Sequence, residues 1–577
     1  MRTLADALTD LIAQAAQAAN LVDDSVPLEP CVPTADARNG DYQSNYAFRL
    51  GKTRRANPRQ VAQELVDALP ASALLAKAEV AGPGFVNLYL SDEALAADVV
   101  ARSVHPTLGT PLDGEGMHLV IDYSSPNIAK RMHVGHLRST VIGNALDRIH
   151  RFLGWQVIAD NHIGDWGTQY GKLIVGWHGW RDDAAFEADP IGELQRIYQA
   201  FGERSKEDES LMEAARAETV KLQEGDPENR ALWERFVAVS LAEFEAIYER
   251  FGIHFDVVYG ESHYRDALQP LVQRLLDAGV AVEDAGAVIV PFTAEDGKGL
   301  DKNPLLIRKS DGAALYGTTD LATLALREAT WAPARAVYVT DVRQKLHFQQ
   351  VFAAARRAGI TPPATELVHV WFGMLKFADG AIASTRDGQV VDLVSVLNTA
   401  VERARAVVDE KSAHLDDAER AAIAEAVGIG AVRYTDLSQN PQTDIVFDWE
   451  KMLAFEGNTA PYILYAHARC HSILRKAAEQ GLAPGPVVLV DPSERELALT
   501  LARTSEAIRL AASSWRPNVL CDQLFRVASA LAVFYGRCRV LDGEPEVVAS
   551  RLGLVQATAN NLRTAMPLVG LTPLDRM

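Results

Sequence analysis

The sequence predicts an α/β protein in which a parallel-sheet domain is preceded by a small α+β domain and followed by an all-α helical bundle. Three observations carry this expectation. From His118 the run HLVIDYS reads as a strand, a helical pattern follows over 134–152, and a second strand stands around 155–159; that order is a βαβ unit and implies parallel pairing. Ahead of it, helical periodicity at the N-terminus gives way to short β-rich runs such as 84–90, bounded by glycine and proline. Beyond about residue 391 the β signals end, and long Ala- and Leu-rich helical segments take over apart from loops near Asn440 and Pro484.

The 577 residues exceed a single core, and the expected divisions are 1–110, 111–395 and 396–577. A charged helical stretch at about 175–250 interrupts the middle domain, and further strands are expected at 287–291, 305–308, 336–340 and 367–372, alternating with helices. With 48% hydrophobic and 23% charged residues and no low-complexity tract, the whole chain is expected to fold. The first helix carries Asp6 and Asp10 and lacks an apolar core, so it reads as a surface helix rather than a targeting peptide. No apolar run of ~18 residues occurs, and we expect a cytoplasmic protein with no membrane partner. Cys31, Cys470, Cys521 and Cys538 lie far apart, without disulfide or zinc spacing, so no protein-held metal is expected. A net charge of -19 argues against uniform binding to phosphate. It leaves room for local basic stripes at 469–476 or 503–516, which serve equally well as solvated helix faces.

The strongest local signal is SSPNIAKRMHVGH at 124–136, where the first parallel strand ends and its helix begins. Ligands of open α/β sheets bind at that carboxyl edge, and exposed helix N–H groups attract phosphate there. His133 and His136 are three apart and are expected to share one helical face, with Gly135 between them offering no side chain to block a flat ring. Two imidazoles beside a triphosphate can donate to oxygens that gain charge as the α-phosphate is attacked, each worth ~10²–10³ in rate.

In this position the motif is similar to the HIGH signature of class I aminoacyl-tRNA synthetases. The flanking PNIAK and HLRST resemble their arginine-specific branch. So do GDWGTQYG at 164–171, YGTTDL at 316–321, FEGNTAPY at 455–462, YAHAR at 465–469, GDYQSN at 40–45 and GPGF at 82–85, which together span all the expected domains. The resemblance implies a Rossmann-like catalytic domain that activates L-arginine with ATP, accompanied by Mg²⁺, and transfers it to the terminal ribose of tRNA(Arg). It implies a monomer whose first domain touches the corner of the tRNA, with Asn45 as a contact, and whose helical domain reads the anticodon; Tyr465, Arg469 and Tyr535 are groups able to stack on or pair with unstacked bases.

Carried over residue by residue, the resemblance implies that Asp320 pairs with the guanidinium and that Tyr316, four residues earlier on the same helix face, shapes the pocket. Asp122 and Asn127 match positions that hold the α-ammonium and carboxylate, Gln344 a glutamine lining the arginine site, and Glu261 an acidic neighbour. One departure stands out. The mobile loop of class I enzymes ends in KMSKS, whose second lysine meets the ATP phosphates; the matching segment here has Ser384 at that place, leaving Ser384, Thr385 and Arg386. Lys130, expected at the helix start where a cation opposes the helix dipole, is the candidate replacement. Two rivals remain open: a nucleotidyltransferase acting on a small molecule, which leaves the N-terminal and helical parts without a job, and a non-catalytic relative that binds tRNA, against which His133, Gly135, His136 and Asp320 stand intact.

Overall fold

The computed structural model describes residues 1–297, 299–310, 312–377 and 391–577, so Ser384, Thr385 and Arg386 lie outside the described residues. The chain forms two compact units. One comprises Met1–Asp113, Val408–Gly430 and Leu453–Met577; the other comprises Gly114–Val407 and Ala431–Met452.

In the first unit a four-stranded antiparallel sheet runs in the order Val32–Pro33, Tyr42–Ser44, Phe85–Leu90, Leu75–Ala81. The opening helix Leu4–Ala18 starts at a Thr3 cap and buries Leu4, Leu8 and Ile12 on one face. Helix Asp92–Ser103 packs on the C-terminal helices Pro492–Ala502 and Pro545–Ala565, which draws the first and last segments of the chain together. Polar groups fix that junction. Arg495 grips both oxygens of Asp41 at 2.9 and 2.8 Å and reaches Asp92 at 2.7 Å, while Glu506 accepts from the Ala5 amide and the Tyr42 hydroxyl. Helix Asn518–Arg537 is long and apolar enough by composition to cross a membrane, but here Leu520, Leu524, Val527, Leu531 and Phe534 form a buried stripe packed among neighbouring helices.

The second unit is built on a four-stranded parallel sheet in the order Glu366–Phe372, Arg335–Asp341, His118–Asp122, Gln156–Asp160. Helix Val134–Phe152 connects the last two as expected, and the helices Asp183–Ala188, Pro190–Arg204, Ser210–Glu224 and Pro227–Phe251 make up the insertion. The strands expected at 287–291 and 305–308 are present, in a sheet of their own, and one expectation, the end of β structure at about residue 391, needs correction. The strands Ala287–Val290 and Leu305–Arg308 do not extend the parallel sheet; with Val282–Asp284 they form a separate antiparallel one. Their alternating burial is the reason, since a strand covered on one face only suits an antiparallel sheet, whereas Ala336–Val339 within Arg335–Asp341 are buried in an unbroken run. The small sheet packs through Val288, Val290, Leu305 and Ile307 against Leu321 and Leu324 of helix Tyr316–Trp331. A β element also occurs beyond residue 391: Ile445–Phe447 pairs in parallel with Leu375–Phe377.

Helix Val134–Phe152 lies close over the end of strand His118–Asp122, because Gly143 faces the buried Tyr123. A Cβ at Gly143 would stand 2.3 Å from the Cβ of Tyr123, and neither backbone can yield easily. Gly143→Ala is therefore expected to destabilise this unit by ~1–3 kcal/mol, as overpacking of a closed core does. A thermal or urea transition of the variant at the wild-type midpoint would show that the helix is free to lift.

Candidate active site

The loop joining strand His118–Asp122 to helix Val134–Phe152 is strained. Ser124, Ser125 and Ala129 all have positive φ, at 72°, 48° and 61°. Such residues persist only where the surroundings over-determine them. Here the Ser124 amide donates to Ser139 Oγ, the Ser124 hydroxyl contacts those of Thr140 and Tyr248, the Ser125 amide donates to Asn161 Oδ1, and the Ala129 amide donates to Ser240 Oγ.

The histidine pair sits at the end of this loop, and its geometry differs from the expectation. His133 is not on the helix face; it is the N-cap, in extended conformation. The rings come together through capping. The Gly135 amide donates to His133 Nδ1 at 3.0 Å and the His133 amide donates to His136 Nδ1 at 3.1 Å, with ring centroids 4.0 Å apart. Both Nδ1 atoms are thus acceptors, so each neutral ring carries its proton on Nε2, the nitrogen turned away from the backbone. Burial and then His133 push His136 down to about 3, and burial and then Lys130 lower His133, so both rings are neutral near pH 7. Lys130 is not at the helix start either. It lies three residues before the cap, exposed, with its ammonium 4.8 Å from the Tyr198 ring centre. The residues after the undescribed segment run antiparallel beside the pair: the Val134 amide donates to Val391 O and the Leu393 amide to Met132 O.

A second cluster is acidic. Tyr316, at the first turn of helix Tyr316–Trp331, is 70% exposed and keeps its hydroxyl available, and Asp320 follows one turn later. Glu261, at the start of a short 3₁₀ turn packed near that helix, is pushed up to about 8 by burial first and then by the charges of Asp165 and Asp320. Asp165 anchors this turn by accepting from the Ser262 amide at 2.8 Å and its hydroxyl at 2.6 Å, and the absence of a side chain at Gly260 permits the approach. His347 Nε2 lies 2.5 Å from Asp320 Oδ2. Gln344 occupies the N-cap position of helix Lys345–Arg357 without a side-chain capping bond and is exposed. Asn127 is exposed at the loop, bridged to Gly164, whereas Asp122 is buried beneath it, accepting from Arg327 Nη2 at 2.6 Å and from the Ser125 hydroxyl at 3.0 Å. Asp165, His347 and Arg327 went unnoticed in the sequence as site residues. Asp165 stands inside the GDWGTQYG motif and His347 three residues after Gln344, and these positions are the available signal.

In the other unit, Tyr465, Arg469 and Tyr535 converge on one cavity of about 1000 Å³. The Arg469 guanidinium lies 4.7 Å from the Tyr465 ring centre and 5.1 Å from that of Tyr535. Arg475, Lys476, Arg537, Arg539 and Arg576 join the lining, against one acidic side chain, Asp542. Asn45 does not line this cavity; it donates to Glu29 at 3.2 Å at the start of helix Tyr46–Arg54.

Three family profiles match consecutive parts of the chain: the arginyl tRNA synthetase N-terminal domain over 5–90, the catalytic domain of class I (R) tRNA synthetases over 104–449, and the DALR anticodon binding domain over 463–577. Arginine--tRNA ligases of Fusobacterium nucleatum and Pseudomonas putida are each 42% identical, over 96% and 99% of this chain and 95% and 100% of theirs. The arginyl-tRNA synthetase of Thermus thermophilus superimposes with a TM-score of 0.84 at 26% identity, covering both chains completely. That of Plasmodium falciparum shares the fold with a TM-score of 0.82. The capped histidine pair, the acidic cluster of Asp320 and Glu261 and the basic aromatic cavity thus stand on a chain that belongs to the arginyl-tRNA synthetase family of class I.

Proposed function

We propose that the chain joins arginine to tRNA(Arg) in two steps. An oxygen of the arginine carboxylate attacks the α-phosphorus of ATP, the bond to the β-phosphate breaks and pyrophosphate leaves. A ribose hydroxyl at the tRNA 3′ end then attacks the carbonyl carbon of arginyl-adenylate, and AMP leaves. ATP enters with Mg²⁺ held largely by its own phosphate oxygens and water, so no cage of side chains is required. The reading includes a monomer working in the cytoplasm.

The observation that carries it is the acidic set around Asp320. A guanidinium offers five donors in a plane and a permanent charge, and it needs carboxylates that converge. Asp320 and Glu261 supply them, Tyr316 flanks them, and Gln344 stands on the adjoining helix. Asn127 meets the α-ammonium and carboxylate, with Asp122 lending negative charge from beneath the loop. The two Nε2–H groups of His133 and His136 donate to the phosphate oxygens that gain charge, and neutrality suits donors that must not trap the ground state. Gly135 leaves room for the adenine or ribose. Lys130 supplies the cation that Ser384 cannot, with Thr385 and Arg386 as further groups on the ATP loop.

The groove of Tyr465, Arg469 and Tyr535 is the proposed anticodon contact, and Asn45 contributes where the N-terminal domain meets the tRNA. Two substitutions separate the amino-acid and nucleic-acid ends. Asp320→Asn is expected to lower arginine kcat/KM by roughly 10²-fold or more at unchanged ATP KM, and Arg469→Ala to raise the KM for tRNA at unchanged arginine KM. Near-normal arginine activation by Asp320→Asn would sink the pocket assignment.

His133→Asn retains a side-chain oxygen able to accept from the Gly135 amide while discarding the Nε2 donor. Its expected signature is a kcat for pyrophosphate exchange lower by ~10²-fold with an unaltered melting midpoint. Lys130→Ala should show a kcat loss of similar size, and a change within a few-fold would return Lys130 to an ordinary surface role.

Glu261 gives a pH dependence of definite sign. With its carboxyl raised to about 8 in the empty pocket, it is mostly protonated at pH 7. A bound guanidinium favours the ionised form, so binding releases a proton and arginine affinity rises with pH until about 8, then levels. Titration calorimetry in buffers of different ionisation heat reads the released proton, and Glu261→Gln should abolish it.

A further inference from the structure

Asp320 is the carboxylate that meets the substrate guanidinium in the reading above, and the inference here rests on that reading. Its own environment contains a partner with no assigned role. His347, in the first turn of helix Lys345–Arg357, directs Nε2 at Asp320 Oδ2 across 2.5 Å, with side chains 27% and 18% exposed. The two helices that carry the pair pack against each other. The imidazole is itself confined. It stands edge-on to the buried Phe348, with centroids 5.4 Å apart, and Phe348 in turn packs on His369, whose Nε2 is bonded to Thr340 Oγ1 at 2.8 Å.

A carboxylate turns readily about its last torsion, which is broad and two-fold. An ammonium is a point charge and accepts almost any carboxylate orientation. A guanidinium is a flat fork, and its paired bonds form only when the carboxylate lies in its plane. A donor fixed on one oxygen halts that rotation, yet it uses only one acceptor position and leaves Oδ1 and a second lone pair of Oδ2 for the substrate. We propose that His347 is a positioning residue that sets substrate specificity: by holding Oδ2 of Asp320 it fixes the plane of the carboxylate for arginine and denies lysine the same advantage.

The test is amino-acid-dependent pyrophosphate exchange in the presence of tRNA, with arginine and lysine as competing substrates. His347→Ala is expected to raise the arginine KM by ~10–100-fold, the range for losing a hydrogen bond to a charged group, while the KM for ATP stays unchanged. The ratio of arginine to lysine kcat/KM should fall about tenfold, because lysine loses little. His347→Gln, whose amide N–H₂ reaches a position near Nε2, should recover arginine activation to within a few-fold. If His347 acts through Asp320, the double variant with Asp320→Asn should be no worse than Asp320→Asn alone. Should the alanine variant lose its circular-dichroism signature, His347→Asn, polar but too short to reach Asp320, takes its place in the comparison. A wild-type arginine KM and arginine-to-lysine ratio in the folded Ala or Asn variant would overturn the proposal, as would losses that multiply in the double variant. Failure of the underlying reading looks different: Asp320→Asn alone would then leave arginine activation intact.

Discussion

The catalytic unit depends on one buried guanidinium. Arg327 Nη2 donates to Asp122 Oδ2 at 2.6 Å and to Asp160 Oδ2 at 2.7 Å, with its side chain 1% exposed and stacked on Tyr338 at 5.0 Å. Asp122 and Asp160 are the last residues of two adjacent parallel strands, and Arg327 belongs to the helix that begins with Tyr316 and Asp320. Two carboxylates side by side at a sheet edge repel each other, and burial raises Asp160 further. The shared cation removes that repulsion and in the same stroke fixes the register of the helix against the strands. Removing one member of such a cluster costs ~3–5 kcal/mol, because the others are left charged and dry. Asp320, two helical turns before Arg327, inherits its place from this anchor.

The histidine loop shows the same economy in another form. Three residues without a glycine hold positive φ within six positions, and five hydrogen bonds between the loop and Ser139, Thr140, Tyr248, Asn161 and Ser240 hold it in that shape. The result is that His133 leaves the loop in an extended conformation and can cap the helix, while His136 returns a bond to the His133 amide. A capping box normally serves helix stability. Here it also decides the tautomer of both rings, so local structure and acid–base chemistry are fixed by the same two bonds.

These features explain what could be read from residues alone. The parallel core is legible because LVI within HLVID and AVYV within RAVYV are apolar runs at strand length, and the insertion because it is charged and helical in pattern. Which sheet the strands AVIV and LLIR join is not legible, since short apolar runs look alike whether they are covered on one face or two. His133 and His136 were recognisable as a pair, but not as cap and third residue. Nothing in Ser124, Ser125 or Ala129 announces left-handed backbone, which is imposed by partners far along the chain. Arg327 was illegible for a like reason: an arginine late in an amphipathic helix reads as solvated until the strands that end beneath it are known.

The overall charge points the same way. A formal net charge of -19 suggests a chain that repels nucleic acid, and a chain-wide average cannot say otherwise. Yet the groove around Arg469 gathers six cationic side chains on its walls with a single acidic side chain among them, and two tyrosines flank the central guanidinium. Screening limits the reach of surface charge to about 10 Å at ordinary ionic strength, so a phosphate at the groove feels these walls rather than the distant carboxylates. The chain-wide average and the local field of this groove are therefore separate quantities, and the first does not predict the second.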